Sequence, residues 1–320
     1  MANRNRIDIP FYKDNYVPSN TTHDNEYDDD IFTTPKALHK YLDDSFFGHD
    51  TFKRELAVFF WKLHRGIRPT GSLLIVGPTG CGKTEAFRAL SKIYRNIQVA
   101  DASVITPQGY KGEAKLNSFL KRLDFSSELM PVLVIDEFDK LYTESRFSTD
   151  MISYELLKML EGGIVNAGTE EKPHFVDTSK CAFVLLGSFA HLYEKRGKTK
   201  PIGFGAIDGN NIDNLPESIT EEKIFNLLPA EVQGRIEKTV ILQGLSEENY
   251  LSILRSSYSP VNKLGRALGK KIYISESKAT EIANHAYNSK IGVRSMNNEI
   301  NSLVNEILYK DPDVMKITIE

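Results

Sequence analysis

An α/β fold is predicted: a parallel sheet sandwiched between helices, followed by a smaller, mainly helical C-terminal domain. Three observations on the 320-residue sequence carry that expectation. Five short apolar runs, Leu73–Val76, Ile97–Ala100, Val132–Ile135, Ala182–Leu186 and Thr239–Leu242, read as buried strands rich in Val, Ile and Leu. Helical patterns lie between them, such as Leu116, Phe119, Leu120 and Leu123, or Leu156, Leu157 and Leu160. A glycine-rich octapeptide joins the first run to the helical pattern behind it. Strands covered on both faces lose the alternation of a half-buried strand, and intervening helices supply the cover.

Taken in order, residues 1–32 are polar and end in an acidic cluster, Glu26 to Asp30. Such a run buries too little apolar surface to order itself, so a mobile tail is expected. Thr33-Thr34-Pro35 reads as a helix start, with Leu38 and Leu42 one turn apart. A second amphipathic helix follows Gly48, with Phe52, Leu56, Phe59, Phe60 and Leu63 along one stripe. These helices and the sheet make a large domain over 33–243. The character turns helical over 244–320, where Ser246 caps a helix carrying Tyr250, Leu251 and Leu254. The last helix, from about Arg294, places Met296, Ile300, Leu303, Val304 and Ile307 on one face. Two alternating stretches, Lys271–Ser275 and Met315–Glu320, are expected to pair as a small hairpin-like ladder.

The bulk numbers exclude several classes. A formal net charge of -3 gives no basic footprint for non-specific nucleic-acid binding. Two cysteines, Cys81 and Cys181, supply neither a disulfide framework nor zinc-ligand spacing. No apolar stretch approaches the ~20 residues of a membrane span. The first ten residues lack the apolar core of a signal peptide. A cytoplasmic chain without a membrane partner is expected.

The octapeptide Gly77-Pro78-Thr79-Gly80-Cys81-Gly82-Lys83-Thr84 fits GxxxxGK[ST], between a strand and a helix. Its glycines let backbone N–H groups turn around an anion at the positive end of that helix, and Glu85, next after Thr84, is counted with Gly77 to Thr84 among the nucleotide-binding residues. Lys83 would reach the β- and γ-phosphates of ATP, and Thr84 would offer its hydroxyl to Mg²⁺. Val132-Leu133-Val134-Ile135-Asp136-Glu137 supplies the other half. Asp136 at a strand end can orient Mg²⁺, and Glu137 can polarise the water that attacks the γ-phosphate. Cys81 reads as a small filler in the loop, although the helix N-terminus would tend to acidify its thiol.

From Thr33 onward the motifs resemble the ClpX branch of AAA-type unfoldases. The match begins with Thr34-Pro35 through Leu42-Asp43-Asp44 and Phe47-Gly48-His49, a segment that in the family packs on the adenine. That makes Phe46 and Phe47 candidate base contacts. Gly109-Tyr110-Lys111-Gly112-Glu113 is similar to the family's pore loop, in which a ring of aromatic side chains grips a threaded chain. Lys111 stands where the family has an aliphatic residue, which implies a preference for acidic substrates. Asp136-Glu137-Phe138-Asp139-Lys140 resembles the family's DE-hydrophobic-DK sequence, and Ser188 falls where a sensor group would contact the γ-phosphate or water. Gly234-Arg235 resembles the arginine-finger segment, implying that Arg235 acts on a neighbouring subunit's nucleotide. Gly292-Val293-Arg294 resembles the sensor-2 motif, with Arg294 on the nucleotide. Ile202-Gly203-Phe204, within Pro201–Gly205, is similar to the loop with which such rings engage the ClpP peptidase. The family's N-terminal zinc-binding domain is expected to be absent, with the acidic tail in its place.

The resemblance implies a homohexameric, Mg²⁺-dependent ATPase that threads polypeptides through a pore and feeds a ClpP-like peptidase. A stand-alone remodeller without a peptidase is the first alternative. An ATP-gated nucleic-acid module is the second, and the acidic net charge argues against it.

Overall fold

A computed structural model of the chain describes residues 6–7, 30–105, 115–143, 147–193, 219–256, 259–289 and 291–320. Two units emerge. A sheet unit comprises Lys62–Pro78 and Tyr94–Leu242, and a helical unit comprises Met1–Trp61, Thr79–Ile93 and Gln243–Glu320. In chain order the described strands are β1 (Arg6–Ile7), β2 (Ser72–Val76), β3 (Ile97–Asp101), β4 (Val132–Asp136), β5 (Ile164–Asn166), β6 (Phe175–Asp177), β7 (Ala182–Gly187), β8 (Ile236–Ile241), β9 (Lys271–Ser275) and β10 (Lys316–Ile319).

The sheet unit is built on five parallel strands in the order β3-β4-β7-β2-β8. Every residue of β2 and β7 is buried, while the edge strands β3 and β8 are only partly covered. The predicted α/β class and all five predicted strands are found. Leu133, Leu185, Phe138 and Leu156 are among the buried residues of its core. A fully buried side chain of this kind contributes about 1.5–3 kcal/mol, so the sheet faces supply the stiffness on which a site can rest. Because the strands are parallel, their carboxyl ends lie along one edge. The adjacent strands β4, β7 and β2 therefore deliver Asp136, Ser188 and Gly77 to that edge.

Two details differ from expectation in this unit. The Leu116–Leu123 pattern folds as a 3-10 helix, Leu116–Arg122, with Leu116 and Leu120 buried. Apolar residues three and four apart serve either helix type, so periodicity alone does not separate them. A two-stranded antiparallel hairpin, β5 with β6, follows the helix Phe147–Glu161 and had no strand signal of its own.

In the helical unit, the Thr34 side chain accepts from the Ala37 N–H at 3.1 Å, capping the helix Pro35–Asp43, which buries Leu38 and Leu42. Phe32, immediately before it, is buried at 3% exposure. Ser246 and Asn249 form a reciprocal capping box at the start of Glu247–Arg255, worth about 1 kcal/mol. The helices Pro260–Leu268, Glu276–Asn288 and Val293–Lys310 complete the fold around β9. There β10 pairs with β9, as expected, but in parallel and not as a hairpin. Two helices separate the strands in sequence, and they return the chain in the same direction. On its other side β9 takes β1 antiparallel, Arg6 opposite Ser275 and Ile7 opposite Ile274. No described helix is long and apolar enough to cross a membrane.

Candidate functional site

In the helical unit the residues Thr79 to Thr84 of the glycine-rich octapeptide run into the helix Lys83–Leu90. Gly80 and Gly82 are left-handed, at φ 79° and 99°. At Gly80 the requirement is also steric: a Cβ there would fall on the Ile291 carbonyl, in the segment that leads to Arg294. Gly82 caps the helix without any side-chain hydrogen bond. A glycine at the cap carries no Cβ to keep a ligand off the first turn, which suits close approach of an anion to the positive end of the helix. Lys83 is the first helical residue and only 8% exposed, with its Nζ 4.0 Å from the Cys81 sulfur.

Cys81 is itself buried, and burial pushes its thiol up against the opposing pull of Lys83. It is the filler that the sequence suggested and not an acidified thiol. His49 hydrogen-bonds the Cys81 backbone from a left-handed position, φ 58°. Burial, with Lys53 and Lys83 adding to it, holds its imidazole below the ordinary range, so the ring is neutral at pH 7. Glu85 is pulled up by burial, yet Lys263 at 3.0 Å and Arg88 at 3.4 Å prevail and hold its carboxyl below the usual range.

Of the two aromatic candidates, Phe46 is spent on the interior. It is 6% exposed, its ring lies 6.2 Å from that of Phe52, and the Lys53 ammonium sits 4.7 Å from its centroid. Phe47 is half-buried against the apolar cluster that contains Tyr250 and Met296. Arg294 is exposed near the start of Val293–Lys310, and the preceding Gly292 closely approaches the Tyr250 hydroxyl and the Thr79 carbonyl. Within this one unit, therefore, the loop, the Phe47–His49 segment and the Arg294 segment come together.

In the sheet unit Asp136 closes β4 and accepts from the Glu137 N–H at 2.9 Å. Glu137 is left-handed at φ 56°, and its carboxylate pairs with Lys140. Both partners are about two-fifths exposed, at 42% and 41%. A pair so open to solvent is worth at most about 1 kcal/mol, so Glu137 is easily released to another partner. Arg235 pairs with Glu161 at 3.3 Å, and both are nearly half exposed, which leaves the guanidinium equally free to be drawn away.

Behind these groups lies a residue to which the motifs gave no role. Asp139 is 5% exposed and accepts three hydrogen bonds, from the Ser188 N–H at 3.0 Å, the Ser188 hydroxyl at 3.1 Å and the Phe189 N–H at 2.9 Å. Phe189, like Glu137, is left-handed, at φ 45°. Such backbone costs a non-glycine residue roughly 1–2 kcal/mol. Three hydrogen bonds to a charged acceptor, at about 1.5–3 kcal/mol each, outweigh both strained residues. In the sequence Asp139 stands only as the second Asp of the DE-hydrophobic-DK stretch, with no contact of its own to announce.

Gly109, Tyr110, Lys111 and Gly112 lie outside the described residues, as do Ile202, Gly203 and Phe204. Compared with known proteins, residues 68–239, more than half of the chain, match the family model of the AAA domain (Cdc48 subfamily). Two proteins described as ATP-dependent Clp protease ATP-binding subunit ClpX are similar along most of their length. That of Treponema denticola is 28% identical over 324 positions, spanning 88% of this chain and 78% of its own. That of Porphyromonas gingivalis is 27% identical over 328 positions, spanning 89% and 79%. The resemblance drawn from the motifs agrees with both.

Proposed function

The chain belongs to the AAA domain family (Cdc48 subfamily) and hydrolyses ATP, and on that premise we propose a Mg²⁺-dependent homohexamer that threads polypeptides through a central pore and passes them to a ClpP-like peptidase. The observation that carries the nucleotide part is the left-handed Gly80–Gly82 loop, which meets a helix start without a side-chain cap beside the buried Lys83. The similarity to ClpX over 88% of the chain supports the mechanical part.

Each residue has a role in this reading. The backbone of Gly77, Pro78, Thr79, Gly80, Cys81 and Gly82 would wrap the phosphates, and Lys83 would meet the β- and γ-oxygens. The Thr84 hydroxyl and the Asp136 carboxylate are hard oxygen donors, a set that suits Mg²⁺ over softer ions. Bound Mg²⁺ would neutralise charge on the phosphates. Glu137 would leave Lys140 to orient and deprotonate the attacking water, and Ser188 would report on the γ-phosphate. Arg235 of one copy would stabilise the transferred phosphoryl on its neighbour's nucleotide, and Arg294 would bind from the small domain. Phe47 would pack on the base.

Tyr110 supplies the mechanical test. Tyr110→Ala is expected to keep ATP turnover at the wild-type level and to lose unfolding of a folded, tagged reporter; an undiminished unfolding rate would remove the pore-grip role. Peptidase docking is tested separately by pull-down with ClpP. Association that disappears in Phe204→Ala supports the handover, whereas no association with the wild-type chain points to a stand-alone remodeller.

A further inference from the structure

We propose that Asp139 is a positioning residue for ATP hydrolysis: its buried carboxylate clamps the turn that carries Glu137 to the turn that carries Ser188, so that both act from one fixed frame. The inference rests on the hydrolytic roles assigned above to those two residues.

The geometry is local to adjacent strand ends. Strands β4 and β7 are neighbours, and each continues into a left-handed residue, Glu137 after β4 and Phe189 after β7. The Phe138 N–H donates to the Leu186 carbonyl at 2.8 Å, so the first turn already leans on the second strand. Asp139 completes the join. One carboxylate oxygen takes the Ser188 N–H; the other takes the Ser188 hydroxyl and the Phe189 N–H. Gly187 leaves room for this, because a Cβ there would lie 2.5 Å from the Phe189 ring and 3.2 Å from Asp139 Oδ1.

A carboxylate removed from water is retained only where its lone pairs are met, and an apolar side chain would fill such a space at less cost. Here Asp139, two positions along the chain from Glu137, spends its acceptors on Ser188 and Phe189, the residues that follow β7. Asp139 is buried, whereas Asp136, Glu137 and Ser188 are each partly exposed. It therefore acts through its neighbours and not on the nucleotide. The frame also explains how Glu137 can exchange Lys140 for a water without the turn itself shifting, since the strain at φ 56° is held from behind.

The test is steady-state ATP hydrolysis by full-length Asp139→Asn, with turnover counted per nucleotide-binding molecule and melting temperature recorded without nucleotide. Asparagine keeps the shape but turns one acceptor into a donor facing donors. We expect kcat to fall by about ten- to a hundredfold, the scale of a roughly 1 Å misplacement, with KM little changed. Gly187→Ala, which presses on the same clamp without removing a polar group, is expected to give the same split if Asp139→Asn does not fold. Wild-type kcat per binding molecule in the folded variant, or a loss that tracks only the unfolded fraction, would overturn the proposal. Glu137→Gln is run beside it. Turnover surviving in Glu137→Gln defeats the hydrolytic reading itself, whereas turnover surviving only in Asp139→Asn defeats the clamp alone.

Discussion

Glu137→Gln abolishes ATP turnover while ATP still binds: this is the result expected if Glu137 handles the attacking water. The substitution preserves size, hydrogen-bonding reach and the backbone that Asp139 holds, and removes only the carboxylate. A positioned general base typically contributes 10²–10⁴-fold, and turnover should fall by about that factor. Fold stability should scarcely move, because the pair with Lys140 that is lost is half open to solvent. Phosphate release measures turnover, and titration with a fluorescent ATP analogue measures binding. Turnover near the wild-type rate would remove Glu137 from the mechanism; loss of binding along with turnover would place it on the nucleotide instead.

Lys83→Met acts at the opposite step. Lys83 begins the helix Lys83–Leu90 and is almost fully enclosed. In the proposed reading its ammonium is the charged group that the loop would offer to the phosphates, while its alkyl stem is enclosed. Methionine keeps the stem and deletes the charge. Each hydrogen bond to a charged group is worth about 1.5–3 kcal/mol. At 1.4 kcal/mol per factor of ten, the Kd for ATP should rise by roughly ten- to a hundredfold, and turnover should disappear with it. The nucleotide-free protein should melt no lower than wild type, since a buried ammonium costs desolvation that a thioether does not. An unchanged Kd would dismiss Lys83 as a phosphate ligand, and a collapsed melting temperature would mark it as a packing residue.

The two substitutions concern residues that the sequence already marked, and there is a physical reason for that. In GxxxxGK[ST] and in a strand ending Asp-Glu, residue type and spacing are the chemistry, so the motif can be read without the fold. The strands were legible for a similar reason: double burial writes itself as unbroken Val, Ile and Leu, as in Val132–Ile135. Other features depended on what folds against them. Asp139 owes its three bonds to Ser188 and Phe189, which lie far along the chain. His49 matters through the Cys81 backbone, and nothing beside it in sequence announces that. Alternation at Lys271–Ser275 and Met315–Glu320 marked the strands but not their direction, which the helices between them decide. The hairpin of β5 and β6 has strands of three residues each, too short to show a period.

The state of the two thiols has a practical side. Cys81 and Cys181 are both free, and both are almost fully enclosed. Burial pushes Cys181 up to about 12 and raises Cys81 as well, so neither presents a thiolate near neutral pH. The native chain thus already has the quiet background that maleimide chemistry needs. A cysteine introduced on an exposed helix position can carry a dye without first stripping out the natural pair, and the glycine-rich loop that holds Cys81 need not be altered to watch the protein work.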